Sequence, residues 1–289
     1  MIRGTDREKN FRFFGANTKE MVNTAVLKHG TSPVVAAALG RTMTGAAMMG
    51  KMLKNETDRV SIAIKGDGPI QGIVVEADAK GNVKGYPYVP VVDLPLNEKG
   101  KLDVRKAIGN AVMIVTKDIG LKEPYVGQVA MLSGEIAEDL TYYFATSEQI
   151  NSVVILGVLV DRDYTIKQSG GIIIEVLPGC TDEAIDALEG KLKSFGALTQ
   201  LLDEGKTIEE ILESLLEDIE IMDKTDTFFK CDCSRERMER GLLSIGRKEL
   251  EEIIAEEDDE PIELVCHFCN QKYHFQKEKI KEILESVEG

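Results

Sequence analysis

Four of the five cysteines in this 289-residue chain sit in two tight pairs, Cys231-Asp232-Cys233 and Cys266-His267-Phe268-Cys269. Together the pairs supply the donor set of a closed tetrahedral metal site, and soft thiolates select zinc over magnesium or calcium. The same sulfurs are open to a second chemistry. A sulfenic acid formed on one can condense with its neighbour into a disulfide and so withdraw ligands from a metal. Lys230, Arg235 and Arg237 add positive charge that is expected to favour thiolate. One residue separates the first pair where common zinc fingers have two, which points to a specialised module. On chemistry alone, a purely architectural zinc clip and a redox switch stay equally open. His267 and His274 lie in or beside the second pair, but four thiols already close a tetrahedron.

Short strands at about 262–265 and 273–275 would carry the second pair on a hairpin knuckle, with Asn270 suited to a left-handed turn. The module expected to hold all four cysteines, residues 231–289, is small, poor in aromatics and rich in like charge, including the acid run 256–260 before Pro261. Domains of this size often need a metal or disulfides to stay folded. Structural zinc supplies about 10–16 kcal/mol of apparent folding free energy, against a total stability of about 5–15 kcal/mol for an ordinary domain. Metal loss is therefore expected to unfold the module.

Upstream, the pattern predicts an α+β class: a domain of mixed β-sheets with packed helices over residues 1–178, then a helical linker over 179–230. Asn17 and Glu20 have capping-box spacing ahead of a helix that stops at Gly30, and Ser32-Pro33 opens a second, Ala-, Met- and Gly-rich helix. Strands are predicted at 60–65, 72–77, 111–117, 152–160 and 172–177. Thr181 is a candidate N-cap, and Thr207 with Glu210 forms a capping box. The helix after Thr207 carries an apolar stripe of Ile208, Ile211, Leu212, Leu215, Leu216 and Ile219, which some other surface must cover.

Charge is unevenly spread. Residues 203–289 hold 12 basic and 26 acidic side chains, a balance of −14 out of −15 for the chain. Such a surface repels phosphate backbones and argues against nucleic acid as a partner. No uncharged run exceeds twelve residues, too short for a membrane span. The polar start, Met1-Ile2-Arg3-Gly4-Thr5-Asp6-Arg7, does not read as a secretory leader, so a cytoplasmic location is expected. No catalytic constellation is evident. Gly45 to Lys51 approaches a phosphate-binding loop, but Met52 stands where Ser or Thr is required, so core packing is expected there. Cys180, just before a helix start, has a position that can lower a thiol pKa, though a lone cysteine is usually a bystander.

The cysteine pattern, with Lys65-Gly66-Asp67-Gly68-Pro69, Ser147-Glu148-Gln149-Ile150 and the stretch from Gly170-Gly171 to Leu177-Pro178-Gly179, resembles the redox-regulated thirty-three-kilodalton heat-shock chaperones. These are bacterial holdases governed by a zinc switch. The resemblance covers nearly the whole chain. It implies one zinc ion held by Cys231, Cys233, Cys266 and Cys269 in an inactive reduced form. It further implies that oxidation forms Cys231–Cys233 and Cys266–Cys269 disulfides, releases zinc, and unfolds the module and linker. The activated homodimer would then bind unfolding client proteins without ATP, as a stress response and not as an enzyme.

Two rival readings stand beside it. A zinc-ribbon module binding nucleic acid is opposed by the acidic tail and the missing basic-aromatic surface. A thiol-disulfide oxidoreductase using Cys266 and Cys269 would place that pair at a helix start in a thioredoxin-like setting, which the hairpin context lacks.

Overall fold

In the computed structural model, which describes residues 1–244, 246–255 and 261–285, the chain divides into two compact units, Met1–Lys230 and Cys231–Gly289. The first opens with strands β1 (Ile2–Asp6) and β2 (Phe11–Asn17), followed by helices α1 (Lys19–His29) and α2 (Pro33–Met52). Strands β3 (Arg59–Gly66), β4 (Gly72–Asp78) and β5 (Asn82–Pro87) come next, then a short helix α3 (Val104–Ile108). After β6 (Ala111–Asp118) and β7 (Tyr125–Ala130), helix α4 (Ala137–Tyr143) runs into a π-helical turn, Phe144–Glu148. Long strands β8 (Ser152–Val160) and β9 (Ile166–Val176) lead to helices α5 (Asp182–Lys193), α6 (Leu198–Asp203) and α7 (Ile208–Leu216). The unit ends in β10 (Ile219–Lys224) and β11 (Phe228–Phe229).

These strands form two sheets, ordered β10-β1-β2-β9-β8 and β11-β5-β4-β3-β6-β7. Helix α2 lies in the main core, with Leu39, Met43, Met48 and Met49 wholly buried. Its small residues are needed for close approach. A Cβ on Gly45 would stand 2.6 Å from Leu140, and one on Gly50 would stand 2.6 Å from the Asp78 carbonyl oxygen. The loop-like motif from Gly45 to Lys51 is thus core helix, as its composition suggested.

Several local expectations hold and others fail for physical reasons. Gly30 closes α1 in a left-handed conformation, and the Thr181 hydroxyl accepts from the Ala184 N–H. Asn17 and Glu20 do not form a capping box, although the Asn17 side-chain oxygen accepts from the Lys19 N–H at 3.2 Å. Asn17 remains in β2, paired with Gly170, and Thr18 holds the N-cap position. The segment 179–230, expected to be helical, carries α5, α6 and α7 but finishes in strand: β10 pairs antiparallel with β1, and β11 lies parallel to β5. Helix α7 starts at the capping box as predicted, with Thr207 Oγ1 accepting from Glu210 N and the Glu210 carboxylate accepting from Thr207 N. It ends earlier than its stripe implied. Glu217 takes φ +64°, the chain turns, and Ile219 belongs to β10.

Beneath α7 the residues Ile208, Ile211, Leu212, Leu215 and Leu216 are buried in a second apolar cluster with Phe11, Phe13, Ile172 and Ile174 of the first sheet. Ile219 packs against the same cluster from its strand. Gly15 allows the helix so close: a Cβ there would meet Ile208 Cγ2 at 2.5 Å and Leu212 Cδ1 at 2.9 Å. At Cys180 the structure reverses an expectation. Burial and the nearby carboxylates of Asp6 and Asp182 push its thiol up, not down.

Candidate metal centre

The second unit places its cysteines on two kinds of local structure. Cys231 and Cys233 lie in the extended approach to helix α8 (Arg235–Leu243), which Ser234 caps by accepting from the Arg237 N–H. After α9 (Arg247–Ala255) come the paired strands β12 (Ile262–Val265) and β13 (Lys272–Phe275), then α10 (Lys277–Glu285). The acid run 256–260 falls outside the described residues. Cys266 and Cys269 occupy the knuckle between β12 and β13. The Cys266 N–H donates to the Gln271 carbonyl at 2.9 Å, and the Asn270 N–H donates back to the Cys266 carbonyl at 2.8 Å. Asn270 adopts φ +56°, the left-handed turn its side chain suits.

All four sulfurs lie within 4.8 Å of one another. Cys231 and Cys266 are 3.7 Å apart, Cys233 and Cys269 3.4 Å, and none is in a disulfide. A tetrahedral cage with metal–sulfur bonds near 2.3 Å has sulfur–sulfur edges of about 3.8 Å. The cage therefore has the size and donor chemistry to hold one metal ion. Among the described residues no histidine joins it. His274 instead faces Glu263 across the hairpin at 3.7 Å.

Electrostatics show what the sulfurs need. Burial pushes the Cys231 thiol far up, and it pushes Cys269 up to about 11. At Cys233 burial also opposes ionisation, but hydrogen bonds from Tyr273 and the neighbouring sulfurs outweigh it and draw the thiol below its ordinary value. The Tyr273 hydroxyl donates to Cys233 Sγ at 3.1 Å, and this bond pushes the phenol up to about 12. Burial at Cys231 and Cys269 thus opposes their deprotonation, and a bound cation would supply the charge that permits it. Arg235 lies over the Phe275 ring and donates to the His274 carbonyl, while Arg237 pairs with Asp232.

Among the described residues, little apolar surface supports this cage. Leu242, Leu250, Phe275 and Ile280 form the buried core, with Met238, Ile254, Ile262, Leu264, Tyr273 and Leu284 packed partly against it. Sequence reasoning found the four cysteines but not Tyr273. Its position two residues into β13, four beyond Cys269, was the available signal.

Residues 1–276 match the model of a family described as Hsp33 protein. The chain belongs to the Hsp33 family. Two curated Hsp33 relatives, each named 33 kDa chaperonin, come from Ruminiclostridium cellulolyticum and Lachnoclostridium phytofermentans. They are 52% and 51% identical over 286 residues, covering 98% of this chain and 97% of each relative. Among solved structures, the crystal structure of the 33 kDa chaperonin (heat shock protein 33 homolog) from Thermotoga maritima is similar with a TM-score of 0.91 and 37% identity. The match covers 99% of this chain and 98% of that one. The mixed α+β architecture expected from sequence is thus an Hsp33 architecture. Among the described residues no helix is long and apolar enough to cross a membrane.

Proposed function

We propose that this protein is a holdase chaperone, active without ATP, whose client binding is controlled by zinc held at Cys231, Cys233, Cys266 and Cys269. The observation that carries the reading is the four-sulfur cage standing beside a core in which, among the described residues, four apolar side chains are fully buried. Relatives named chaperonins over nearly the full length support the chaperone part. Bound zinc would contribute the cross-link that closes the unit, with no redox chemistry of its own. In this reading residues 1–178 are the core domain, 179–230 the linker and 231–289 the switch.

Oxidation acts on the sulfurs. Within each pair two thiolates and one hypochlorous acid, with one proton, yield a disulfide, chloride and water; sulfur loses two electrons and chlorine gains them. Formation of Cys231–Cys233 and Cys266–Cys269 removes the four anionic ligands, and the switch loses its cross-link. The linker then gives way. It holds ten acidic and three basic side chains over residues 203–230, so self-repulsion favours its opening. Release of α7 would uncover Phe11, Phe13, Ile172 and Ile174 together with its own apolar face, the kind of surface that captures unfolding proteins. The active form is a homodimer in the cytoplasm, and neither nucleic acid nor membrane is a partner.

The test is zinc content and suppression of client aggregation, measured on the reduced protein and after hypochlorite. Release of one zinc per chain with gain of holding activity is expected. Zinc retained with unchanged activity would overturn the switch while leaving the family intact.

A further inference from the structure

Resting on the zinc-switch reading, we propose that Tyr273 is a positioning residue for that switch, its hydroxyl restraining the Cys233 sulfur so that it reacts more slowly and holds metal more firmly. Three observations converge on it. The hydroxyl lies 3.1 Å from Cys233 Sγ and donates to it. The ring is fixed by the hairpin, where Tyr273 pairs with Leu264 in β13–β12 register and packs on the small core. Two of the other sulfurs are steadied differently: the backbone of Cys233 serves Cys231, and that of Gln271 serves Cys269. Cys233 therefore receives its outer hydrogen bond from a side chain.

A hydrogen bond to a thiolate draws density from its lone pairs. The sulfur becomes a poorer nucleophile toward any electrophile, and its orientation is fixed toward the centre of the cage that a metal would occupy. Outer partners of metal ligands typically change metal affinity by about 10–100-fold. The ring of Tyr273 also fills space beside the cage, so removal of the hydroxyl alone isolates the hydrogen bond from the packing.

Tyr273→Phe keeps the ring and deletes the donor. The reagent is iodoacetamide, a neutral alkylator: sulfur forms a bond to carbon and iodide departs with the displaced pair. In the full-length, zinc-loaded protein, the variant should lose zinc to the alkylator about threefold faster or more, with Cys233 labelled earlier by peptide mass mapping. Its zinc affinity, by chelator competition, should fall about tenfold. With cobalt as a spectroscopic substitute, the sulfur-to-metal charge-transfer band should move to lower energy, a change that a packing defect alone would not produce. Equal alkylation rates, Cys233 order and band position in the two proteins would overturn the role of Tyr273. Failure of the parent protein to bind zinc at all would instead overturn the reading beneath it.

Discussion

The two units of this chain solve the folding problem by different means. Residues 1–230 surround α2 and the two sheets with a large apolar interior, in which Phe13, Phe14, Tyr143 and Phe144 are almost wholly inaccessible. The unit from Cys231 has a net charge of −7, a cage of four sulfurs and, among the described residues, four fully buried apolar side chains. Small cores rarely supply more than about 3–5 kcal/mol, so in the proposed reading the second unit draws on the metal for what the first obtains from burial. A unit that depends on one ion can be switched by one reaction. The sheets of residues 1–178, held by burial, lack that dependence, and in the proposed reading they are the place for a client surface that must survive the switch.

The largest expected effect tests that contrast directly. Cys269→Ser removes one ligand and should forfeit much of the roughly 10–16 kcal/mol attributed to structural zinc. Calorimetry should then lose the transition of the second unit while that of residues 1–230 persists; loss of both together would erase the distinction. Next in size is Leu212→Ala. It empties a fully buried position under α7 and should cost about 2–5 kcal/mol. Here client aggregation assays under reducing conditions should reveal holding activity without oxidant.

Gly15→Val sharpens the comparison from the other side of the contact. Its new side chain must displace Ile208 and Leu212, at a cost of about 1–3 kcal/mol, and proteolysis should cut the α6–α7 region sooner. Thr207→Ala, which removes the N-cap of α7, should cost about 1 kcal/mol by urea denaturation.

The smallest effect is acid dependence at Asp223. Its hydrogen bond with Lys51, which outweighs the opposing effect of burial and is aided by the charges of Lys51 and Arg3, holds the carboxyl below the usual value. That stabilisation is present above the ordinary carboxylate pKa of about 3.9 and fades as pH falls through the lower folded value. Asp223→Asn should flatten the acid limb of the stability curve; an unchanged limb would mean the pair contributes nothing measurable.

What the sequence disclosed follows the range of the forces involved. Caps and turns are local, and Thr181, Thr207, Gly30 and Asn270 announced their roles. The cysteine pairs were legible because ligand spacing is itself a short-range signal. Ile219 misled because it continues the helical spacing after Leu216, whereas the chain is turned aside at Glu217 by pairing of β10 with β1, more than two hundred residues away in sequence. Asn17 misled for the same reason: its partner Gly170 keeps it in the sheet. Arg235 and Arg237 were close to the cysteines in sequence, but their contacts with the Phe275 ring, the His274 carbonyl and Asp232 depend on the folded hairpin and helix start and were not legible there.

Hydrogen–deuterium exchange, followed by peptide as a chelator and then hypochlorite are added to the zinc-loaded protein, bears most directly on the central claim. Residues 231–285 should lose protection as the ion leaves, and the peptides of α7 should follow on oxidation, while those of β2 and β9 stay protected. Undiminished protection across 262–275 after complete removal of the metal would contradict a fold that the metal sustains.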